Sequence, residues 1–285
     1  MDTPIFSPTT FDEFFNLRRE NPDARLLAGG TDLLVRLKDS LDWPVLIDIS
    51  GLQELQRISI NNGVILIGAL STYADLLRSD ILKQHGDVLL QAAKLVGSPQ
   101  IRNRGTIGGN IANGSPAGDT LPPLYVLQAS VEAASCDGTR TIPIEEFFTG
   151  PGKTVLGNNE IIISVSIPVQ QEYSQVFLRL GQREALAISK VSIAVAAKMD
   201  ATVINDIRIA LGSVAPTVVR AVKTEKKLNG AELKDECIQA ACEAIEHDAI
   251  PISDIRSDAE YRRSMCGVLL KSALRAVGKC EGANV

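Results

Sequence analysis

Histidine is almost missing from this chain of 285 residues: only His85 and His247 occur. The five cysteines, at positions 136, 237, 242, 266 and 280, include no Cys-x-x-Cys pair. A zinc or iron–sulfur site therefore has no visible ligand set. An odd number of irregularly spaced thiols makes no disulfide framework, and a chain this long buries a core without staples. Basic residues are in deficit, 29 Lys and Arg against 34 Asp and Glu, which leaves a formal charge of −5. That balance argues against a general electrostatic grip on nucleic acid. Apolar runs such as Ile161–Ile163 and Val191–Ala197 fall far short of the ~18–20 residues of a transmembrane helix. The start, MDTPIFSPTTFDEFF, lacks the basic-then-apolar order of a signal peptide. A soluble cytoplasmic protein, without a membrane or nucleic-acid partner, is the expectation.

The length suits about two domains. Within the first fifty residues, Thr10 caps a helix from Phe11 with acids in its first turn. Arg25-Leu26-Leu27-Ala28 reads as a short strand stopped by Gly29-Gly30-Thr31-Asp32, with a helical pattern at Leu33, Leu34 and Leu37. Val45–Ile49 is a second strand. Ile58-Ser59-Ile60 and Val64–Ile67, joined by Asn61-Asn62-Gly63, carry a hairpin signal. Tyr73–Leu77 and Val88–Val96 are helical by spacing, and Glu160–Pro168 is a strand ended by proline. The polar stretch Gln170–Ser174 is the candidate boundary. Beyond it Val176–Leu180, Ser192–Lys198 and Ile207–Ser213 alternate as three antiparallel strands, followed by helices from about Val218 to Val277. The class is α+β, with domains at 1–170 (subdomains about 1–52 and 53–170) and 171–285.

Gly97–Asp119 is the densest departure from ordinary composition, with six glycines in 23 residues. Paired glycines after a strand let backbone N–H groups approach a phosphate, and a following helix adds its terminal donors and dipole. Ala28-Gly29-Gly30-Thr31-Asp32 and Thr106-Ile107-Gly108-Gly109-Asn110 both have this form, and either is also compatible with a plain tight turn. Neither matches G-x-G-x-x-G or G-x-x-x-x-G-K-[ST], so the Rossmann fingerprint and the P-loop are absent. Gly114-Ser115-Pro116 is not a nucleophile elbow, which argues against a serine hydrolase. Asp119 can accept from a ligand hydroxyl or close an Asx-turn. Arg102 and Arg104 read as solvated loop charges, and Arg179 faces either phosphate or solvent. Physical reasoning alone stops at a possible dinucleotide phosphate site.

Leu26–Leu33 and Gly97–Ile111 resemble the two flavin-binding signatures of the FAD subunits of molybdenum hydroxylases, the family of xanthine, nicotinate and carbon monoxide dehydrogenases. The resemblance continues in order through Ser115–Asp119, Phe147–Lys153, Glu160–Ile162 and Leu178–Ser189, over nearly the whole chain. It implies two N-terminal α/β subdomains enclosing non-covalent FAD, and a C-terminal domain with a three-stranded antiparallel sheet and a helical bundle. Leu26, Leu27, Ala28, Gly29, Gly30, Thr31, Asp32 and Leu33 would hold the FAD pyrophosphate together with Thr106, Ile107, Gly108, Gly109 and Asn110. Val96 and Gly97 would lie near the flavin, Asp119 at an acidic FAD contact, Ile161 against the isoalloxazine, and Arg179 at a position usually held by Lys. Glu184 would stand near the flavin edge. Val96 stands where the animal xanthine enzymes carry an aromatic ring near the flavin, so that stack is lost, and Pro151 stands where they carry a tyrosine near the nicotinamide, which alters the expected NAD contacts. No cysteine-rich insert is present, so no metal or iron–sulfur cluster is expected on this chain. The implied role is electron transfer from [2Fe–2S] clusters of a small subunit through FAD to NAD, beside a large molybdenum subunit, in a dimer of heterotrimers. The equivalent subunit of a nicotinate or carbon monoxide enzyme, and an assembly protein that has lost its flavin, are the alternatives.

Overall fold

The computed structural model describes residues 4–38, 44–183 and 186–280. The first subdomain is a parallel three-stranded sheet in the order β1 (Ile5–Phe6), β3 (Leu46–Asp48), β2 (Arg25–Leu27). The Phe11–Glu20 helix makes the crossover. Thr10 accepts from the Glu13 amide, Glu13 reaches back to the Thr9 amide at 2.8 Å, and Arg18 and Arg19 lie in the last turn. Acids at the start and bases at the end complement the helix dipole. Its buried Phe14 packs with Ile47 and Ile49. The first strand, two residues long, escapes sequence reading because nothing so short shows a period.

The second subdomain is a five-stranded antiparallel sheet ordered β4 (Ile58–Asn61), β5 (Val64–Gly68), β10 (Ile161–Pro168), β6 (Ser130–Ser135), β7 (Gly138–Pro143). The β4–β5 hairpin turns through Asn62 at φ 48° and Gly63 at φ 75°, the positive pair that a right-twisted two-residue turn requires. A small ribbon, β8 (Phe148–Gly150) with β9 (Lys153–Thr154), precedes β10. The Tyr73–Arg78, Asp87–Leu95, Ile107–Asn113 and Leu121–Val126 helices bury their apolar faces with this sheet.

The C-terminal sheet contains the three expected antiparallel strands, β11 (Ser174–Leu180), β12 (Val191–Asp200) and β13 (Val203–Gly212). The expected count of three is corrected by a fourth, β14 (Val219–Arg220), which pairs only Ala210 with Arg220 and Leu211 with Val219. Side chains along β12 sort by size. Val191, Ile193 and Val195 face the Val222–Leu228, Asp235–Ile245 and Ala259–Cys280 helices. The small Ala194 and Ala196 join the core of the second subdomain instead. Small residues on that face let the Leu121–Val126 helix lie close to the sheet, so the two domains share apolar packing. The polar 170–174 stretch is anchored at its start. Gln170 is buried and accepts from Arg208 at 2.8 Å, and Arg208 also donates to the Tyr173 hydroxyl at 2.8 Å.

Candidate functional site

Strand β2 ends at Leu27, and the chain turns through residues 28–32 into the Leu33–Leu37 helix. This turn lies beyond the carboxyl end of a parallel strand, where open α/β sheets place their ligands. Among the described residues, the amides of Gly29, Gly30, Thr31, Asp32 and Leu33 meet no protein acceptor. All five residues line a cleft of about 410 Å³. Successive unpaired N–H groups around a concavity attract an anion. Gly29 is required by close approach, since a methyl group there would overlap the Arg104 carbonyl oxygen. The loop therefore rests directly on the second subdomain, whose Ile107–Asn113 helix forms the opposite wall through Thr106, Gly109, Asn110 and Asn113.

Positive charge gathers here. Arg25 and Arg36 line the cleft, Arg36 pairing with Asp32 at 2.8 Å and donating to the Asn113 side chain. Arg104 lines an adjoining recess of about 150 Å³ that shares Ala28, Gly29 and Thr106 with the cleft. Arg25 and Arg36 lie outside both glycine motifs, and only the fold brings them and Arg104 together beside the first glycine loop.

The second glycine loop differs from the reading of its sequence. The Ile107 amide donates to Ser71 O at 3.0 Å and the Gly108 amide to Ala69 O at 2.9 Å. The Gly109 amide is capped by the Thr106 hydroxyl at 3.1 Å and the Asn110 amide by Thr106 O at 3.1 Å. Two N-terminal donors of this helix are thus consumed in docking it to Ala69 and Ser71, and the next two in bonds to its own cap, Thr106. The loop supplies a wall with an open glycine, and the unpaired amides facing the cleft are those of the first loop.

A third recess, of about 240 Å³, shares Tyr73, Val96 and Asn110 with the cleft and is lined also by Gly97, Asp119 and Arg179. Arg179 is turned away from solvent: its side chain is buried at the edge of this recess and donates to Asp119 Oδ2 at 2.6 Å and Ala187 O at 3.2 Å. Ser189 donates to Asp119 Oδ1 at 2.5 Å, so both carboxylate oxygens are engaged and no Asx-turn forms. Burial pushes the Asp119 carboxyl up, against the opposing pull of Ser189 and Arg179. Burial likewise raises the Tyr73 phenol well above its ordinary range. Arg102 is no free loop charge either; it donates to Val96 O at 3.0 Å and Gly97 O at 3.3 Å, closing the end of the Asp87–Leu95 helix.

The three recesses thus collect Leu26, Ala28, Gly29, Gly30, Thr31, Asp32, Leu33, Val96, Gly97, Thr106, Gly109, Asn110, Asp119 and Arg179. Leu27, Ile107 and Gly108 stand behind the lining. Ile161 is elsewhere. It is 2% exposed in the core between the first subdomain and the five-stranded sheet, beside Ala134 and Leu70. Its apolar strand context explains the position, because an isoleucine inside β10 is drawn into the nearest dry interface. Glu184 lies outside the described residues. Tyr73, Arg25, Arg36 and Asn113 are among the lining residues that sequence reasoning did not select, and Arg104, read there as a solvated loop charge, lines the adjoining recess. Among the described residues no cluster of three or more His, Cys, Asp or Glu is placed to hold a metal, and no helix is long and apolar enough to cross a membrane.

Residues 1–170 match the family model of the FAD binding domain in molybdopterin dehydrogenase. Residues 177–277 match that of the CO dehydrogenase flavoprotein C-terminal domain. The chain is 33% identical over 280 residues to the xanthine dehydrogenase FAD-binding subunit of Escherichia coli O157:H7, covering 97% of this chain and 96% of that one. It is 35% identical over 255 residues to the carbon monoxide dehydrogenase medium chain of Hydrogenophaga pseudoflava, with 89% of each covered. A solved structure of carbon monoxide dehydrogenase from Hydrogenophaga pseudoflava superposes with a TM-score of 0.92 at 34% identity, over 97% of both chains.

Proposed function

Because the chain belongs to the FAD-binding family of molybdopterin dehydrogenases, we propose that it serves a xanthine-dehydrogenase-like molybdenum hydroxylase, passing electrons from the [2Fe–2S] clusters of a partner subunit through FAD to NAD. The partners are a small iron–sulfur chain and a large molybdenum chain, in a dimer of heterotrimers. An NAD-linked reaction goes with a cytoplasmic location. The observation that carries the cofactor assignment is the row of unpaired amides from Gly29 to Leu33 facing a cleft flanked by Arg25 and Arg36. Bound there, FAD supplies the electron and hydride chemistry. The residues of this chain hold and orient it. The five amides and the two arginines take the pyrophosphate charge, and Gly109 leaves the opposite wall open. The Asp119–Arg179–Ser189 network braces the far recess by joining the second subdomain to β11, which restricts movement of that wall.

The xanthine reading is supported by similarity to a xanthine dehydrogenase FAD-binding subunit over nearly full length. A comparable similarity to a carbon monoxide dehydrogenase medium chain supports a second reading in which the complex oxidises another small substrate, carbon monoxide or nicotinate. Purification of the chain, alone and with co-expressed partners, followed by identification of flavin released on denaturation, tests the cofactor. Near-equimolar FAD is expected. No flavin in either preparation, even after FAD addition, overturns the reading and leaves the assembly role. Turnover of the whole complex with xanthine, nicotinate or carbon monoxide, and with NAD as acceptor, then selects the substrate.

A further inference from the structure

Asn110 stands where the large cleft and the Asp119 recess meet, and it lines both. It is half-buried on the Ile107–Asn113 helix. Its backbone amide is spent on Thr106 O at 3.1 Å, so its side chain is what it offers to a ligand. A carboxamide has two unlike ends, an accepting oxygen and a donating NH2 group. Which end faces the opening decides what kind of atom Asn110 can meet there.

Thr120 makes that choice. It is fully buried just ahead of the Leu121–Val126 helix, and its hydroxyl donates to Asn110 Oδ1 at 2.6 Å. That length is ordinary for an O–H donor on an oxygen and short for an N–H donor, so the oxygen of the carboxamide is the end turned toward Thr120. The Tyr73 phenol bonds to the same Thr120 side chain, and burial keeps the phenol protonated. Tyr73 therefore supplies a proton to the Thr120 oxygen, which directs the Thr120 proton onto Asn110. Phenol, hydroxyl and carboxamide form a chain with one direction, and each bond in such a chain strengthens the next. The Asn110 NH2 group is the end left at the meeting point of the two cavities. Thr120 belongs to neither glycine loop.

We propose that Thr120 is a positioning residue: it locks the Asn110 carboxamide with its NH2 group toward the junction of cleft and recess, as a donor to an oxygen of FAD. The identity of that acceptor rests on the FAD reading, whereas the lock is a property of this chain alone. On the other wall of the cleft the amides of residues 29–33 are donors as well. An Asn110 turned the other way presents its carbonyl oxygen to the same anion and opposes them. Thr120 adds no contact of its own to the cofactor. It removes the wrong orientation of its neighbour, and it lowers the entropy lost in fixing that side chain on binding.

The test is a double-mutant cycle on the full-length protein, alone or with its co-expressed partners, read as FAD affinity in titrations of flavin-depleted samples. Thr120→Val keeps the outline of the side chain and removes the hydroxyl. It should weaken FAD binding about fivefold, the worth of one hydrogen bond. Thr120→Ser, which keeps the hydroxyl, should bind as wild type does. In an Asn110→Ala background, Thr120→Val should change affinity by less than about twofold, because the hydroxyl then has nothing to orient. Unchanged affinity in Thr120→Val would overturn the proposal. So would an equal loss with and without Asn110, which would show that Thr120 serves packing alone. A second readout needs no flavin. In the nitrogen-15 spectrum of the flavin-free chain, the Asn110 NH2 signals, assigned by their loss in Asn110→Ala, should shift in Thr120→Val and return in Thr120→Ser. Unmoved signals overturn the lock. A wild-type chain that takes up no FAD yet shows the shift overturns the FAD reading and leaves the lock standing.

Discussion

Gly109 separates binding from folding. It is the third residue of the Ile107–Asn113 helix, and a Cβ added there meets only the Thr106 hydroxyl, at 2.8 Å, on the side open to the cleft. Replacing a helical glycine with leucine gains up to about 1 kcal/mol in backbone propensity. Displacing the Thr106 hydroxyl from the Gly109 amide, which it now caps at 3.1 Å, costs about 1 kcal/mol. The two nearly cancel, so flavin-free Gly109→Leu should melt within about 4 °C of wild type. In the cleft the leucine occupies the space across from the amides of residues 29–33. FAD affinity should fall at least about tenfold, equivalent to about 1.4 kcal/mol. The assay is the ratio of flavin to protein absorbance on purification, with melting measured on flavin-free samples because bound ligand raises apparent stability by mass action. Undiminished flavin would show that the pyrophosphate does not pass Gly109. A fall in melting temperature of more than about 10 °C would show that the position is not open, and would refute the geometric reasoning.

Asp119→Ala removes the carboxylate that accepts from the buried Arg179 guanidinium at 2.6 Å. Urea unfolding should report a loss of about 3–5 kcal/mol, and a loss below about 1 kcal/mol would mean the pair does not join the domains. Gly29→Ala forces a methyl onto the Arg104 carbonyl. It should empty the cleft and, unlike Gly109→Leu, also lower stability by about 1–3 kcal/mol, and unchanged stability with full flavin would contradict the close approach. The Asp254 carboxyl, depressed by hydrogen bonds from Arg256 and Arg262, gives a signed pH dependence. Its folded pKa lies below the unfolded value of about 4, so its contribution is present above that pH and is lost as pH falls through the folded pKa. The stability gap between wild type and Asp254→Asn should therefore narrow on acidification below about pH 4, and a constant gap would remove the charge from the explanation.

Local chemistry made much of this protein legible in its sequence. The Thr10 cap, the Asn62-Gly63 turn and the alternation along β12 and β13 act over a few residues, and the elements form where those signals stand. The first glycine loop was visible for the same reason: a strand stopped by two glycines before a helix exposes amides whatever surrounds it. Tertiary packing decided the rest. Thr106–Asn110 has the same local form as Ala28–Asp32, but Ala69 O and Ser71 O come from another part of the chain and take its amides. Ile161 has an aliphatic side chain suited to a ring face, and was drawn into the dry seam between subdomains. Asp119 and Arg179, sixty residues apart, found each other because β11 packs beside the glycine-rich segment. Sequence by itself determined most of the elements, the family resemblance and the two loops with the local form of an anion site. Which amides stay free, which charges are neutralised and which apolar residue reaches a cavity depended on partners distant in sequence, and only the assembled tertiary structure supplied them.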